Sequence, residues 1–100
     1  AFNRGPVTML ARDFGAEPHL LLGSARALGG ERLGKGDAAA TIPVFPRLPV
    51  TLIVWAGDEE FPSSATILFD ATANEYLETE AIVGVAANCV HRLKKIRDGF

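Results

Sequence analysis

The apolar residues of the first thirty positions recur at helical spacing in two short runs. One run follows Pro6 and the other follows Pro18, and proline suits the first turn of a helix because the N–H it lacks would have no partner there. Gly15 ends the first run, and Gly29-Gly30 ends the second. The pattern therefore predicts two N-terminal helices.

Three apolar runs with strand character follow a polar, glycine-rich connector at Glu31–Asp37. They span Ala39–Phe45, Val50–Ala56 and Ser64–Phe69. Pro43 lies inside the first of them, and because proline cannot donate a ladder hydrogen bond, this strand is expected at an edge or with a bulge. The second run is apolar at both alternating sets of positions, which predicts that both of its faces are covered.

The last element is an amphipathic helix that starts at Leu77 or Thr79 and runs to Arg97. Acidic residues lie in its first turn and basic residues in its last, and both placements favour the helix dipole. Cys89 falls on the apolar stripe of this helix. A buried structural thiol is therefore predicted, because a catalytic cysteine needs a neighbouring histidine and an exposed, electropositive setting.

These elements predict an α+β fold, with an antiparallel sheet of at least three strands packed against two N-terminal helices and a C-terminal amphipathic helix. Short connections indicate a simple meander, in which Val50–Ala56 is central and Ser64–Phe69 lies at an edge. No charge interrupts Ser64–Phe69, and uncharged apolar edges are normally covered or paired. We therefore expect this strand to pair further, with a preceding N-terminal segment or with another subunit.

The composition limits the classes of protein that the chain can represent. It has 100 residues, 48% hydrophobic and 22% charged, which fits a single domain. The chain opens without an initiator methionine, which indicates a fragment, a processed chain or a chain that lost only its initiator. Because strand 64–69 is expected to pair with a further segment, we expect the chain to be the C-terminal part of a longer domain. One cysteine excludes an internal disulfide and a thiolate metal cage. A net charge of −2 argues against nucleic acid, and prolines interrupt the longest apolar stretch, which argues against a membrane span.

The densest polar cluster is Asp58-Glu59-Glu60, between Trp55 and Phe61. Consecutive carboxylates in a turn can bind a hard cation through oxygen, which would suit a metal-dependent enzyme. Adjacent charges usually need only water, however, so the alternative is a solvated acidic turn with Phe61 packed underneath.

Arg47 and Asp70 form a second candidate pair, since both are expected at the same end of the sheet. Arg47 precedes the central strand, and Asp70 follows the edge strand. An ion pair that pins the strand ends is one interpretation. The alternative is that Arg47 binds the carboxylate or phosphate of a ligand. The acidic turn lies at the opposite end of the strands, so the two clusters are not expected to form one site.

The stretch from Gly36 to Leu77 resembles the family catalogued as domain of unknown function 3786. Gly29-Gly30, with the leucine before it, fits the same pattern upstream. The resemblance rests on Gly36-Asp37, Ile42–Pro49, Trp55–Pro62, Ile67–Asp70 and Tyr76-Leu77. The Trp-x-Gly-Asp-Glu-Glu-Phe-Pro block is its most specific part.

What this resemblance implies is a cytoplasmic protein of anaerobic bacteria and archaea, longer than this chain, with an association to corrinoid or one-carbon metabolism. Some relatives carry an iron–sulfur module, and the single cysteine places any such module outside these 100 residues. The resemblance supplies no catalytic residues and names no definite cofactor.

The leading functional hypothesis is a non-catalytic accessory or ligand-binding module in anaerobic cofactor metabolism, with a corrinoid or another small molecule as ligand. An assembly domain that pairs through strand 64–69, as a homo-oligomer or with another protein, is the main alternative. The metal-dependent enzyme is a third hypothesis. The matching polar or aromatic positions are the candidate ligand-binding residues: Arg47, Trp55, Asp58, Glu59, Glu60 and Asp70.

Overall fold

A computed structural model describes residues 4–45, 48–69 and 79–99 of the chain. It contains three helices and a four-stranded sheet, so the α+β class predicted from the sequence is confirmed. The helices are α1 (Arg4–Phe14), α2 (His19–Ala27) and α3 (Thr79–Asp98). The strands are β1 (Glu31–Leu33), β2 (Ala38–Phe45), β3 (Leu48–Trp55) and β4 (Ser64–Phe69).

The ends of α1 and α2 follow the sequence signals. Pro18 is the N-cap of α2, and the Gly15 N–H closes α1 with a 2.8 Å hydrogen bond to the Ala11 carbonyl. At the end of α2, Gly29 has a φ of 81°, a backbone conformation that glycine adopts without steric cost. The N–H groups of residues 29 and 30 then donate to carbonyls of the last helical turn at 3.0 and 2.8 Å.

The sheet is a fully antiparallel meander in the order β1-β2-β3-β4. As predicted, β3 is internal and β4 is the last strand of the described sheet. Glu31–Asp37 was interpreted as a polar connector, and this was wrong for Glu31–Leu33, which forms a strand that pairs with Ala39–Thr41 of β2. Three residues, two of them charged, are too few to show the alternation that indicates a strand. The strand forms through its pairing with β2.

Pro43 has the effect expected of a proline inside a strand. The register between β2 and β3 shifts between Pro43 and Phe45, which is the predicted bulge. β2 lies between β1 and β3, but its pairing with β1 ends at Thr41. The missing N–H of Pro43 therefore removes no hydrogen bond from the β1–β2 ladder.

All three helices lie on one side of the sheet. α1 packs on β4 and β3, α2 packs on β2 and β1, and α3 packs against both α1 and α2. The alternate residues of β3 that face the helices are fully buried, as is Ile67 of β4. The buried cluster consists of Leu10, Phe14, Leu21, Ala25, Ala38, Ala40, Ile42, Val50, Leu52, Val54, Ile67, Ala86, Cys89, Val90 and Leu93.

The opposite face of the sheet is only partly covered, which corrects the prediction that both faces of the central strand are buried. Ile53 is 6% exposed, but Trp55 on the same face is 39% exposed and Leu68 of β4 is 47% exposed. Several residues on this face are apolar, as the sequence indicated. The described helices nevertheless all lie on the other side of the sheet. Within the described ranges, none of the helices has the length and apolar character that a membrane crossing requires.

Cys89 is buried in α3, as its place on the apolar stripe predicted. Burial raises the pKa of the thiol to about 11, and nearby Arg92 opposes this to a smaller extent. At pH 8 only about 0.1% of such a thiol is ionised, and the thiolate is the reactive form. This cysteine is therefore a packing residue in the native chain.

We expect Cys89 of the folded protein to react with Ellman's reagent at pH 8 at least about a hundredfold more slowly than in the urea-unfolded chain, because unfolding restores an ordinary thiol pKa. Measuring both rates on the same preparation checks this. Equal rates in the two states would contradict a buried thiol.

Candidate functional site

The structure describes four of the six predicted site residues, Trp55, Asp58, Glu59 and Glu60. They lie together at the end of β3 and in the loop that leads to β4. Arg47 and Asp70 lie outside the described residues, and so does the ion pair predicted between them. The candidate site that can be described is therefore the Trp55 end of the sheet.

Asp58 organises the β3–β4 loop through its own backbone neighbours. Its Oδ1 atom accepts hydrogen bonds from the backbone N–H groups of Phe61, at 2.7 Å, and Glu60, at 2.8 Å. The Asp58 N–H in turn donates to the Phe61 carbonyl at 2.8 Å. These two bonds, first from Phe61 and then from Glu60, hold the pKa of Asp58 below its usual value. Asp58 is therefore a turn-forming carboxylate of the kind that aspartate often supplies in loops.

The rest of the acidic turn is open to solvent. Glu59 and Glu60 are exposed. Phe61 is 67% exposed, so the expectation that it packs beneath the turn was wrong. Within the described residues, no three His, Cys, Asp or Glu side chains come together in a group that could hold a metal ion. The turn as described offers hydrogen-bonded and solvated carboxylates and an exposed aromatic ring.

The turn between β1 and β2 folds over the Trp55 end of β3. Asp37 ties it down twice, since its N–H donates to the Val54 carbonyl at 2.9 Å and its Oδ2 atom accepts from the Ala56 N–H at 2.6 Å. A methyl group on Gly36 would lie 2.7 Å from Ile53 Cγ2 and 3.2 Å from Trp55 Nε1. The turn thus covers Ile53 and leaves part of the Trp55 indole exposed.

We use the name open face for the side of the sheet opposite the helices. A 3.0 Å hydrogen bond joins the Thr41 and Thr51 hydroxyl groups across its centre. Leu68, at its β4 margin, lies in register with Thr51. The strand register gives the members of the open face as Glu31, Leu33, Ala39, Thr41, Pro43, Pro49, Thr51, Ile53, Trp55, Ser64, Thr66 and Leu68. Glu31 is the only charged residue among these described positions.

Sequence reasoning selected Trp55 but missed Leu68 and Asp37 as parts of this region. Leu68 was counted only among the apolar residues of an edge strand that was expected to pair further, although its position at an edge strand was itself a signal of exposure. Asp37 was read as a connector residue. Its place directly after a glycine and before a strand is typical of a residue that caps a turn, and this could have identified it.

A profile comparison extends the resemblance seen in the sequence. The family profile matches residues 1–92 of the chain, which includes α1 and α2 as well as the Gly36–Leu77 stretch. No curated protein and no solved structure matches the chain. Since the match covers more than nine tenths of the sequence, the chain belongs to the family described as Domain of unknown function (DUF3786).

Proposed function

We propose that this chain is a protein assembly domain, in which two copies join along their β4 strands and form one continuous sheet. The observation that carries the proposal is Leu68, an apolar side chain 47% exposed on the last strand of the described sheet. Solvent-facing positions of antiparallel sheets are usually polar, which makes an exposed leucine at this margin a candidate contact.

The sequence of β4 supports pairing with an identical strand. Natural sheets protect their edges from self-association with charged residues, proline or bulges. Ser64–Leu68 carries no charge and no proline, and its pairing with β3 is regular from Ser64 to Phe69. A second β4 can therefore lie beside the first without repulsion between like charges.

We place the two-fold axis so that Ile67 faces Ile67 of the partner subunit, with pairing over Thr66–Leu68. Residues directly opposite then lie on the same side of the joined sheet. Leu68 faces the partner's Thr66 and lies diagonal to the partner's Leu68, at a separation of about 7–8 Å that leucine side chains can bridge. The two open faces become one continuous surface.

The acidic turns do not oppose this arrangement. Glu59 and Glu60 precede β4 in each copy. Because the joined strands run in opposite directions, the two turns lie beyond opposite ends of the pair. Coulomb repulsion between exposed groups at such separations is largely screened at physiological ionic strength.

The test is the oligomeric state of Leu68→Lys, measured by sedimentation equilibrium. The wild-type chain is expected to dimerise, and Leu68→Lys is expected to raise the dissociation constant at least about tenfold, since it places two ammonium groups near each other at the two-fold axis. Because Leu68 is exposed, the fold is expected to survive, which circular dichroism checks.

Glu31→Lys is the matched control, because Glu31 is exposed on the same open face but on β1, at the other margin of the sheet. This variant is expected to dimerise like the wild type. A wild-type chain that stays monomeric at every concentration, or a Leu68→Lys chain that dimerises as well as the control, contradicts the proposal.

The leading sequence hypothesis, a ligand-binding accessory role in anaerobic corrinoid or one-carbon metabolism, stays a prediction that rests on the resemblance. The same holds for the cytoplasmic location. The metal-dependent enzyme also stays a prediction, and the described acidic turn lends it no support, because Asp58 is engaged in its own turn and Glu59 and Glu60 are solvated.

A further inference from the structure

A cavity of about 410 Å³ lies between α2 and β1, on the helix side of the sheet and at the margin opposite β4. Its apolar wall is formed by Leu22, Ala25 and Ala40. Arg26 of α2 and Arg32 of β1 also line it. The volume falls within the range of about 300–1,000 Å³ that is typical of sites for small molecules.

Two arginines, both exposed, therefore line one cavity, although the chain as a whole has a net charge of −2. Neither arginine forms an ion pair within the described part of the chain, whereas Arg12 and Arg97 each pair with a neighbouring aspartate. No described residue that lines the cavity carries a carboxylate. The cavity thus has two positive charges with no described anion to balance them.

The end of α2 does not oppose an anion here as strongly as a free helix C-terminus would. The carbonyl of Ala25 accepts hydrogen bonds from the N–H groups of Leu28 and Gly30, and that of Arg26 accepts from Gly29. These bonds satisfy carbonyl groups that would otherwise carry the negative end of the helix dipole toward the cavity.

We propose that this cavity binds a phosphorylated small molecule. A phosphate monoester carries nearly two negative charges above its second pKa, near 6, which matches the two guanidinium groups. Arginine holds such a group with paired N–H donors in a fixed planar geometry. The wall formed by Leu22, Ala25 and Ala40 then contacts the apolar or aromatic part of the ligand.

The site is independent of the proposed dimer. The cavity lies on the helix side at β1, and the β4 strands lie at the far margin of the sheet. Either proposal can fail while the other holds.

The experiment is isothermal titration calorimetry of the full chain at pH 8, in separate titrations with phenyl phosphate, inorganic phosphate and phenol. Phenyl phosphate is expected to bind most tightly, because it alone offers both the dianion and the ring. Arg26→Gln and Arg32→Gln are each expected to weaken it about tenfold or more, since each removes a charged hydrogen-bond donor.

Lys35→Gln is the matched control, because it removes one exposed positive charge from the β1–β2 turn, away from the lining of this cavity. It is expected to leave the dissociation constant for phenyl phosphate within about twofold of the wild-type value, which corresponds to a change in binding free energy of under about 0.5 kcal/mol. If Lys35→Gln weakens phenyl phosphate as much as the two cavity variants do, the attraction is non-specific and the proposal is overturned.

Gly23→Leu tests the cavity by filling it. A Cβ on Gly23 meets no atom within 4 Å, and leucine has a higher helix propensity than glycine, so the variant is expected to fold. Because Gly23 also lines the cavity, the leucine side chain is expected to enter it, and binding of phenyl phosphate is expected to be lost. Full affinity in Gly23→Leu, or no saturable binding of phenyl phosphate by the wild type, overturns the proposal.

Discussion

Phe14→Ala is expected to lower the free energy of unfolding by about 3–5 kcal/mol, the range for truncating a buried phenylalanine. Phe14 is 1% exposed in the cluster that joins the helices to the sheet. The Arg97 guanidinium lies 5.3 Å from the centre of its ring and also donates to the backbone carbonyl of Asp13. Truncation leaves a cavity and removes the aromatic partner of Arg97 at once.

Urea denaturation followed by circular dichroism measures this loss, and Phe61→Ala is the matched control. Phe61→Ala removes the same atoms as Phe14→Ala, but Phe61 is 67% exposed. The free energy of unfolding of this variant is therefore expected to stay within about 0.5 kcal/mol of the wild-type value. A domain of this size is stable by only about 5–15 kcal/mol, so Phe14→Ala removes a large share. Similar losses in both variants would contradict the assignment of Phe14 to the core.

The elements with strong periodicity were predicted well because a single stretch of chain contains the whole signal. The continuous apolar run around Leu52 identified β3, and the stripe that includes Cys89 and Leu93 identified α3. The proline and glycine signals placed the ends of α2, since a backbone with positive φ at Gly29 requires a residue without a side chain. These features depend on local backbone geometry, which can be predicted from neighbouring residues in the sequence.

The features that were missed depend on contacts between distant residues. β1 forms because Glu31–Leu33 pairs with β2, and three residues are too few for a sequence pattern to predict a strand. Both apolar faces of β3 looked equally suited for burial, but the described helices cover one of them, and the choice depends on how the three helices pack together. Arg26 and Arg32 gave no motif, because they belong to different elements that only the fold brings to one cavity.

The candidate site was predicted in part for the same reason. Trp55 and Asp58–Glu60 are neighbours in sequence, so their proximity could be predicted. The turn-forming role of Asp58 could not, because it depends on hydrogen bonds from the backbone N–H groups of Glu60 and Phe61. The contribution of the β1–β2 turn, which reaches Trp55 through Gly36 and Asp37, required the pairing of β1 with β2.

Gly36→Val is expected to lower the free energy of unfolding by about 2–4 kcal/mol, because it combines two costs at one position. Gly36 has a φ of 58°, where a β-branched residue is strongly disfavoured. Its added Cβ would also lie 2.7 Å from Ile53 Cγ2 and 3.0 Å from the Val54 carbonyl oxygen. The turn must therefore lift away from β3, which weakens the two hydrogen bonds of Asp37 and exposes more of Trp55.

Urea denaturation measures the loss, and the tryptophan emission of the native protein reports on the turn, since Trp55 is the only tryptophan in the chain. Gly34→Val is the matched control within the same turn, because a Cβ on Gly34 meets no atom within 4 Å and its φ is not positive. It is expected to change the stability by less than about 1 kcal/mol and to leave the emission unchanged. If Gly36→Val is as stable as Gly34→Val and its emission does not shift to longer wavelength, the β1–β2 turn does not cover the Trp55 end of β3.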